Sequence, residues 1–244
     1  EQGNGTFFED SSGWGNNATC NETSVCPSVI DGIRGKAYTF DGVNDSILIN
    51  RFVDSDYSNQ GFSRCFWAKT KTTPTDQMVF GVINGTATDG YSLRFSRGSP
   101  DRIYAFLGRT GATTTSWSYT FDEKWHFYCL VQNGNTSANL YIDNLNYGAN
   151  SITSEIRGFN SIGRAGTIPA YFNGSIDDII IFNRPISSFE ISPLYDAGTN
   201  KYDLEIDNLA NGNYTYKAYA QDPAGNLNWT ETRNITIDRI SAIL

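Results

Sequence analysis

Apolar and β-branched residues alternate with polar ones over short stretches of the chain, and clusters of Gly, Asn, Asp and Ser interrupt them. This period of two is that of strands whose side chains point to opposite faces, and helical periodicity is nearly absent. The pattern predicts strands at 36–41, 46–50, 62–69, 78–84, 91–96, 102–107, 125–132, 138–143 and 175–182, enough for two packed sheets. One helical turn is predicted where Ser187 and Glu190 have the spacing of a capping box, with Pro193 expected to stop or kink it.

The texture changes near residue 198. Tyr202, Leu204 and Ile206 alternate, Gly212 and residues 223–225 mark turns, and 234–237 begins a last strand. Three strands cannot close a sandwich that needs about seven. The expected organisation is therefore a large β domain over 1–197 and a partial β segment over 198–244. Tyr214, Tyr216, Ala218 and Ala220 share one parity and form a face that needs cover, which strands from a neighbouring subunit could supply. The apolar residues 240–244 are expected to be tied down in the same way.

Composition agrees with strands: 15 Phe, 14 Tyr and 5 Trp accompany a single Met and a single His. The net charge of -8 and the lack of a basic stripe exclude a nucleic-acid partner. No apolar run approaches the roughly 20 residues of a membrane-spanning helix. The polar opening, residues 1–5, is no signal peptide, so residue 1 reads as a processed or excised start.

The four cysteines lack CxxC spacing and a nearby His, which favours disulfides over zinc. Three connectivities are possible. Cys20 and Cys26 can close a short loop, leaving Cys65 for Cys129. Parity supports the second bond, since Cys65 shares a face with Trp67, and Cys129 with Trp125, Phe127 and Val131. Loop entropy gives about 2 kcal/mol for the short bridge and about 4 kcal/mol for the long one. Disulfides imply an extracellular or cell-surface location. Sequons begin at Asn4, Asn17, Asn21, Asn44, Asn84, Asn135, Asn173, Asn213, Asn228 and Asn234, about twice the chance number, and mark a glycoprotein.

An ordered set of motifs carries a family resemblance: DSSGWGNNATC (10–20), GKAYTFDGVNDSILI (35–49), FSRCFWAK (62–69), WHFYCLV (125–131), NLYIDN (139–144), SIGR (161–164) and FNGSIDDIIIFNRPISSFEI (172–191). Together they resemble the laminin-G-like jelly roll of the concanavalin-A-like lectin and glucanase superfamily. Residues 202–238 resemble the last strands of an immunoglobulin-like or fibronectin-like repeat. The resemblance implies an all-β jelly-roll sandwich of two antiparallel sheets with a small C-terminal immunoglobulin-like segment. Two departures stand out: the family's usual opening strand should be ending where this chain starts, and cysteines stand at 65 and 129 in place of small or aliphatic residues.

Family members often hold a structural Ca²⁺ where first and last strands meet, which points to Asp10, Asn16 and either Asp177 or Asp178 as ligands. The competing reading makes Asp10, Asn16, Asp41 and Asp45 turn residues. Sugar sites in such sandwiches use aromatics beside polar loop residues, for which Trp14, Trp117 and Tyr119 are candidates, each equally able to pack in the core. Glucanase chemistry needs paired carboxylates. The one E-x-D, Glu205 to Asp207, lacks the further acid and lies outside the jelly roll, and His126 has no partner suggested by spacing. The chain is thus expected to be non-enzymatic. Its first expected role is a structural or adhesive subunit that self-assembles by strand pairing into a filament or surface layer. The alternative is a calcium-assisted, glycan-binding module of a larger surface protein.

Overall fold

The computed structural model of the chain describes residues 6–20, 25–49, 61–71, 76–82, 90–108, 114–134, 136–152, 159–165, 170–199, 206, 208–221 and 227–238. It forms two compact units, residues 1–200 and 201–244.

The first unit holds β1 (Phe7–Phe8), β2 (Ala18–Thr19), β3 (Ser28–Asp31), β4 (Lys36–Asp41), β5 (Ile47–Ile49), β6 (Phe62–Thr70), β7 (Gln77–Gly81) and β8 (Gly90–Ser96). These are followed by β9 (Arg102–Gly108), β10 (Thr114–Ser118), β11 (His126–Asn133), β12 (Ser137–Ile142), β13 (Leu145–Ser151), β14 (Ser161–Ile162), β15 (Asn173–Phe182) and helix α1 (Ser188–Thr199). One antiparallel sheet has the order β1-β2-β5-β14-β7-β8-β9-β10, and the other β13-β12-β11-β6-β15-β4-β3. This is the all-β jelly-roll sandwich. Between the sheets lie Phe40, Phe62, Phe66, Phe80, Phe95, Tyr128 and Phe172, each at most 2 % exposed. Every such ring contributes about 1.5–3 kcal/mol by leaving water.

Strand β6 explains why both faces of the second sheet are apolar. Phe62, Phe66 and Ala68 point into the sandwich, while Cys65 and Trp67 point outward with Phe127, Cys129 and Val131 of β11. Cys65 lies directly opposite Cys129 in the β6–β11 register, and the two are joined in a disulfide. Cys20 is joined to Cys26. Helix α1 covers the outer face: Ile191 is fully buried, and Tyr195 stacks on Trp67 at 5.7 Å between ring centroids. A Cβ on Gly198 would collide with the Trp67 ring, so glycine permits this close approach.

The helix corrects one expectation. Ser187 and Glu190 form half of the capping box, with the Glu190 carboxylate accepting from Ser187 N and Oγ, both at 2.9 Å, while Glu190 N donates to Ser187 O at 3.0 Å. Yet the element runs twelve residues and continues past Pro193. Burial of Ile191, Leu194 and Tyr195 against Trp67 and Phe127 outweighs the missing proline N–H.

The second unit contains two antiparallel pairs, β16 (Gly212–Tyr216) with β19 (Arg233–Ile237), and β17 (Tyr219–Gln221) with β18 (Leu227–Trp229). Tyr216, Tyr219, Leu227 and Trp229 are all more than half exposed. The face expected to need cover is largely exposed at Tyr216 and Ala218, and half-buried at Tyr214. Residues 202–205 and 240–244 lie outside the described residues.

Candidate functional site

The edge strands β10 and β13, one from each sheet, are stitched by side chains. Trp117 Nε1 donates to Gly148 O at 3.0 Å, and Asn150 Nδ2 donates to Ser116 O at 3.0 Å. Trp117 is only 4 % exposed, so it serves packing and is closed to any ligand. The chain leaving β10 then runs against the β8–β9 turn, with Tyr119 N donating to Asp101 O at 3.1 Å. Asp101 is held in turn by Gly98 N at 3.1 Å and Arg97 Nη1 at 3.4 Å.

At this junction lies a depression of about 370 Å³ lined by Pro100, Asp101, Ser118, Tyr119, Thr120 and Tyr147. Tyr119 and Tyr147 meet edge to face at 5.8 Å between centroids, and Tyr119 also meets Phe121, His126 and Tyr128. Burial raises the Tyr119 phenol well above its ordinary range, opposed by a hydrogen bond from Tyr128. Burial also raises Tyr147, assisted by the charge of Asp143. Both phenols therefore stay protonated at neutral pH and can donate as well as accept. Aromatic faces, phenols and the hydroxyls of Ser118 and Thr120 suit a polar ligand with apolar patches.

Behind Tyr119 the single histidine is gripped on both ring nitrogens, Nδ1 by Asp143 Oδ2 at 2.5 Å and Nε2 by Asp122 Oδ1 at 2.7 Å. The hydrogen bond to Asp143, against desolvation and with help from Asp122, raises the His126 pKa. Asp143 Oδ1 also accepts Phe127 N at 2.9 Å, so this cluster pins the β12–β13 turn whose strand carries Tyr147. Asp122 lies four residues before His126, but Asp143 reaches it only through the β11–β12 register, which no local spacing shows. Tyr147 has no local signal that ties it to Tyr119, because β13 is almost wholly exposed and its place is set by pairing with β12.

Trp14 is 77 % exposed in the β1–β2 connection, at the opposite edge of the sheet from β10. It is therefore not brought together with Tyr119. Its loop is built by Asp10, whose carboxylate accepts Ser12 N at 3.0 Å and Asn16 N at 2.9 Å. Partial burial pushes Asp10 upward, but the bonds from Ser12 and Asn16 outweigh it and lower its pKa. Asp177 is 3 % exposed and belongs to the other sheet, where its Oδ2 accepts Ile33 N at 2.7 Å and Arg34 N at 3.2 Å. Its Oδ1 accepts Asp178 N at 2.8 Å. Asp178 follows at a β-bulge with φ 44°, its carboxyl raised by burial and then by the Asp177 charge. Among the described residues no three His, Cys, Asp or Glu side chains converge as a metal group. Asp10 and Asn16 come together as turn partners, and Asp177 accepts backbone amides on the other sheet. Asp41 and Asp45 likewise organise a turn, Asp41 Oδ1 accepting Val43 N at 2.8 Å and Asp45 Oδ2 accepting Asp41 N at 2.8 Å.

Of the sequon asparagines, Asn213, Asn228 and Asn234 are exposed, while Asn17, Asn44 and Asn173 are partly buried. Asn4, Asn21, Asn84 and Asn135 lie outside the described residues, as do Glu205 and Asp207. Among the described residues no helix is long and apolar enough to cross a membrane.

None of the curated proteins matches the sequence. Solved structures do share the fold. The binding domain of botulinum neurotoxin serotype G aligns with a TM-score of 0.61 and 20% identity over 86% of this chain and 53% of that one. Domain 4 of AbnA, an extracellular GH43 arabinanase from Geobacillus stearothermophilus, in complex with arabinotriose, aligns at 0.56 and 14% over 78% and 97%. The serotype D neurotoxin ligand-binding domain in complex with N-acetylneuraminic acid aligns at 0.55 and 16% over 79% and 50%. The chain thus spans about half the length of the neurotoxin domains. Residues 41–192 match the laminin-G-like model described as the concanavalin A-like lectin/glucanases superfamily, and the chain belongs to that family.

Proposed function

We propose that the protein is an extracellular, non-catalytic glycan-binding module, and that the depression between Tyr119 and Tyr147 receives the sugar. One observation carries this reading: two protonated tyrosines and two hydroxyl side chains converge on an open depression where the two sheets meet. Apolar sugar faces stack on such rings while their hydroxyls exchange hydrogen bonds with the rim. The arabinotriose and N-acetylneuraminic acid complexes of domains with this fold support the same direction. The two disulfides fit an oxidising compartment outside the cell. Calorimetric titration against an oligosaccharide panel tests the proposal. Tyr147→Ala removes a ring already 39 % exposed and should weaken binding about tenfold. Trp14→Ala, at the far edge, should leave it unchanged. Equal affinity in wild type and Tyr147→Ala would reject the site.

A second reading, assembly through residues 198–244, is favoured by the exposed Tyr219 and Trp229, which face each other across β17 and β18. Sedimentation across a concentration series tests it: mass should rise with concentration, and a constant monomer would reject it.

A further inference from the structure

The outer face of the first sheet carries chemistry that the depression alone does not use. Strand pairing sets Met78, Arg94, Tyr104 and Ser116 in one row across β7 to β10, and Ser96, Arg102 and Ser118 in the next. Their neighbours of opposite parity, among them Leu93, Phe95, Ile103 and Trp117, fill the core, so these rows face away from it. Met78 is 3 % exposed in a cluster with Ala165 and Ala170, so the row continues on β8 to β10, about 10 Å across at about 4.8 Å spacing.

Two arginines, Arg94 and Arg102, stand on this face in a chain with 26 acidic and 18 basic residues. Arg94 sits between Asp76, at 2.9 Å from Nη1 to Oδ2, and the Tyr104 ring, at 4.6 Å. Arg102 donates from Nη1 to Ser116 Oγ at 3.2 Å and has no carboxylate partner among the described residues. The other positions of this parity in β8, β9 and β10 are glycine, serine, threonine, tyrosine and Phe106, with no acid among them. Ser118 belongs both to the Arg102 row and to the wall of the depression, which makes the two surfaces continuous.

We propose that the ligand is a carboxylate-bearing polysaccharide whose chain crosses this face, with Arg102 as the residue that recognises its acid group. The assignment rests on the glycan-binding reading. A guanidinium fork matches a planar carboxylate, and Arg94 already takes one from Asp76 on the same face. The serine and threonine hydroxyls would receive the neutral parts of the chain.

Titration of the whole chain with oligogalacturonate, a neutral xylo-oligosaccharide and dextran sulfate, which carries sulfate but no carboxylate, tests this. Oligogalacturonate should bind best, more weakly as salt rises. Arg102→Gln should weaken it about tenfold or more, and Arg102→Lys, which keeps the charge without the fork, by less. Unchanged binding by Arg102→Gln, or a preference for the carboxylate-free sulfated chain, overturns the assignment. Neutral chains bound best, with Tyr147→Ala weakening them and Arg102→Gln without effect, overturn it while leaving the glycan-binding reading intact. Failure of the wild type to bind any of the three rejects both.

Discussion

Asp177→Ala should be among the most damaging single substitutions in the jelly roll, and its effect should not depend on calcium. The carboxylate is 3 % exposed and accepts three backbone N–H groups, from Ile33, Arg34 and Asp178. It thereby fixes the β3–β4 turn to β15, against which Gly32 packs so closely that an added Cβ would strike Asp177. Truncation removes the charge together with its bonds, so no buried charge is stranded, but it leaves amides without an acceptor. At about 1–3 kcal/mol for each stranded group, partly relieved by entering water, the loss should be about 3–4 kcal/mol. For a chain of this size that corresponds to roughly 6–16 °C in melting temperature. Asp177→Asn should lose less, because one oxygen still accepts from the turn while its amide opposes Asp178 N–H. Thermal unfolding with and without calcium measures both. A loss below about 1 kcal/mol for Asp177→Ala would refute the clamp, and a loss seen only with calcium would return Asp177 to the role of metal ligand.

Because Asp10 and Asp177 are engaged by backbone amides, excess chelator is expected to leave the melting temperature unchanged; a fall of several degrees would reinstate calcium. The raised pKa of His126 means that its ion pairs stabilise fully below about pH 6.5 and fade as pH rises through the higher folded value. The stability difference between wild type and His126→Gln should therefore shrink from pH 6 toward alkaline pH, and a pH-independent difference would contradict the clamp. Replacing both Cys65 and Cys129 by Ala opens a loop with a sequence separation of 64 and should cost about 4 kcal/mol in chemical denaturation, whereas a loss near zero would show the bridge to be dispensable.

The strongly patterned strands were legible in the sequence because one or both faces are buried. Residues 36–41 are β4 as read, and 62–69 differ from β6 by one residue. Strand β13 was not legible, since its side chains are almost all exposed and its place is set by pairing with β12. Two-residue strands such as β14 hold no period at all. The disulfides could be read because loop length and parity are local properties. The site could be read only in part. Tyr119 stood out as an aromatic beside polar residues, but Tyr147, Asp101 and the His126 cluster are joined to it by contacts between strands distant in sequence. The resemblance placed Asp10 and Asp177 in a common role, whereas hydrogen bonding gives each its own turn.

The central claim is that sugar binds in the Tyr119 and Tyr147 depression, and amide chemical-shift mapping tests it most directly. On titration with a bound oligosaccharide, the amides of residues 101, 118–120 and 147 should shift together and saturably, followed by those of 94, 102 and 104, while Trp14 and the β3–β4 turn stay still. Shifts confined to the Trp14 loop, or to residues 201–244, would contradict the account.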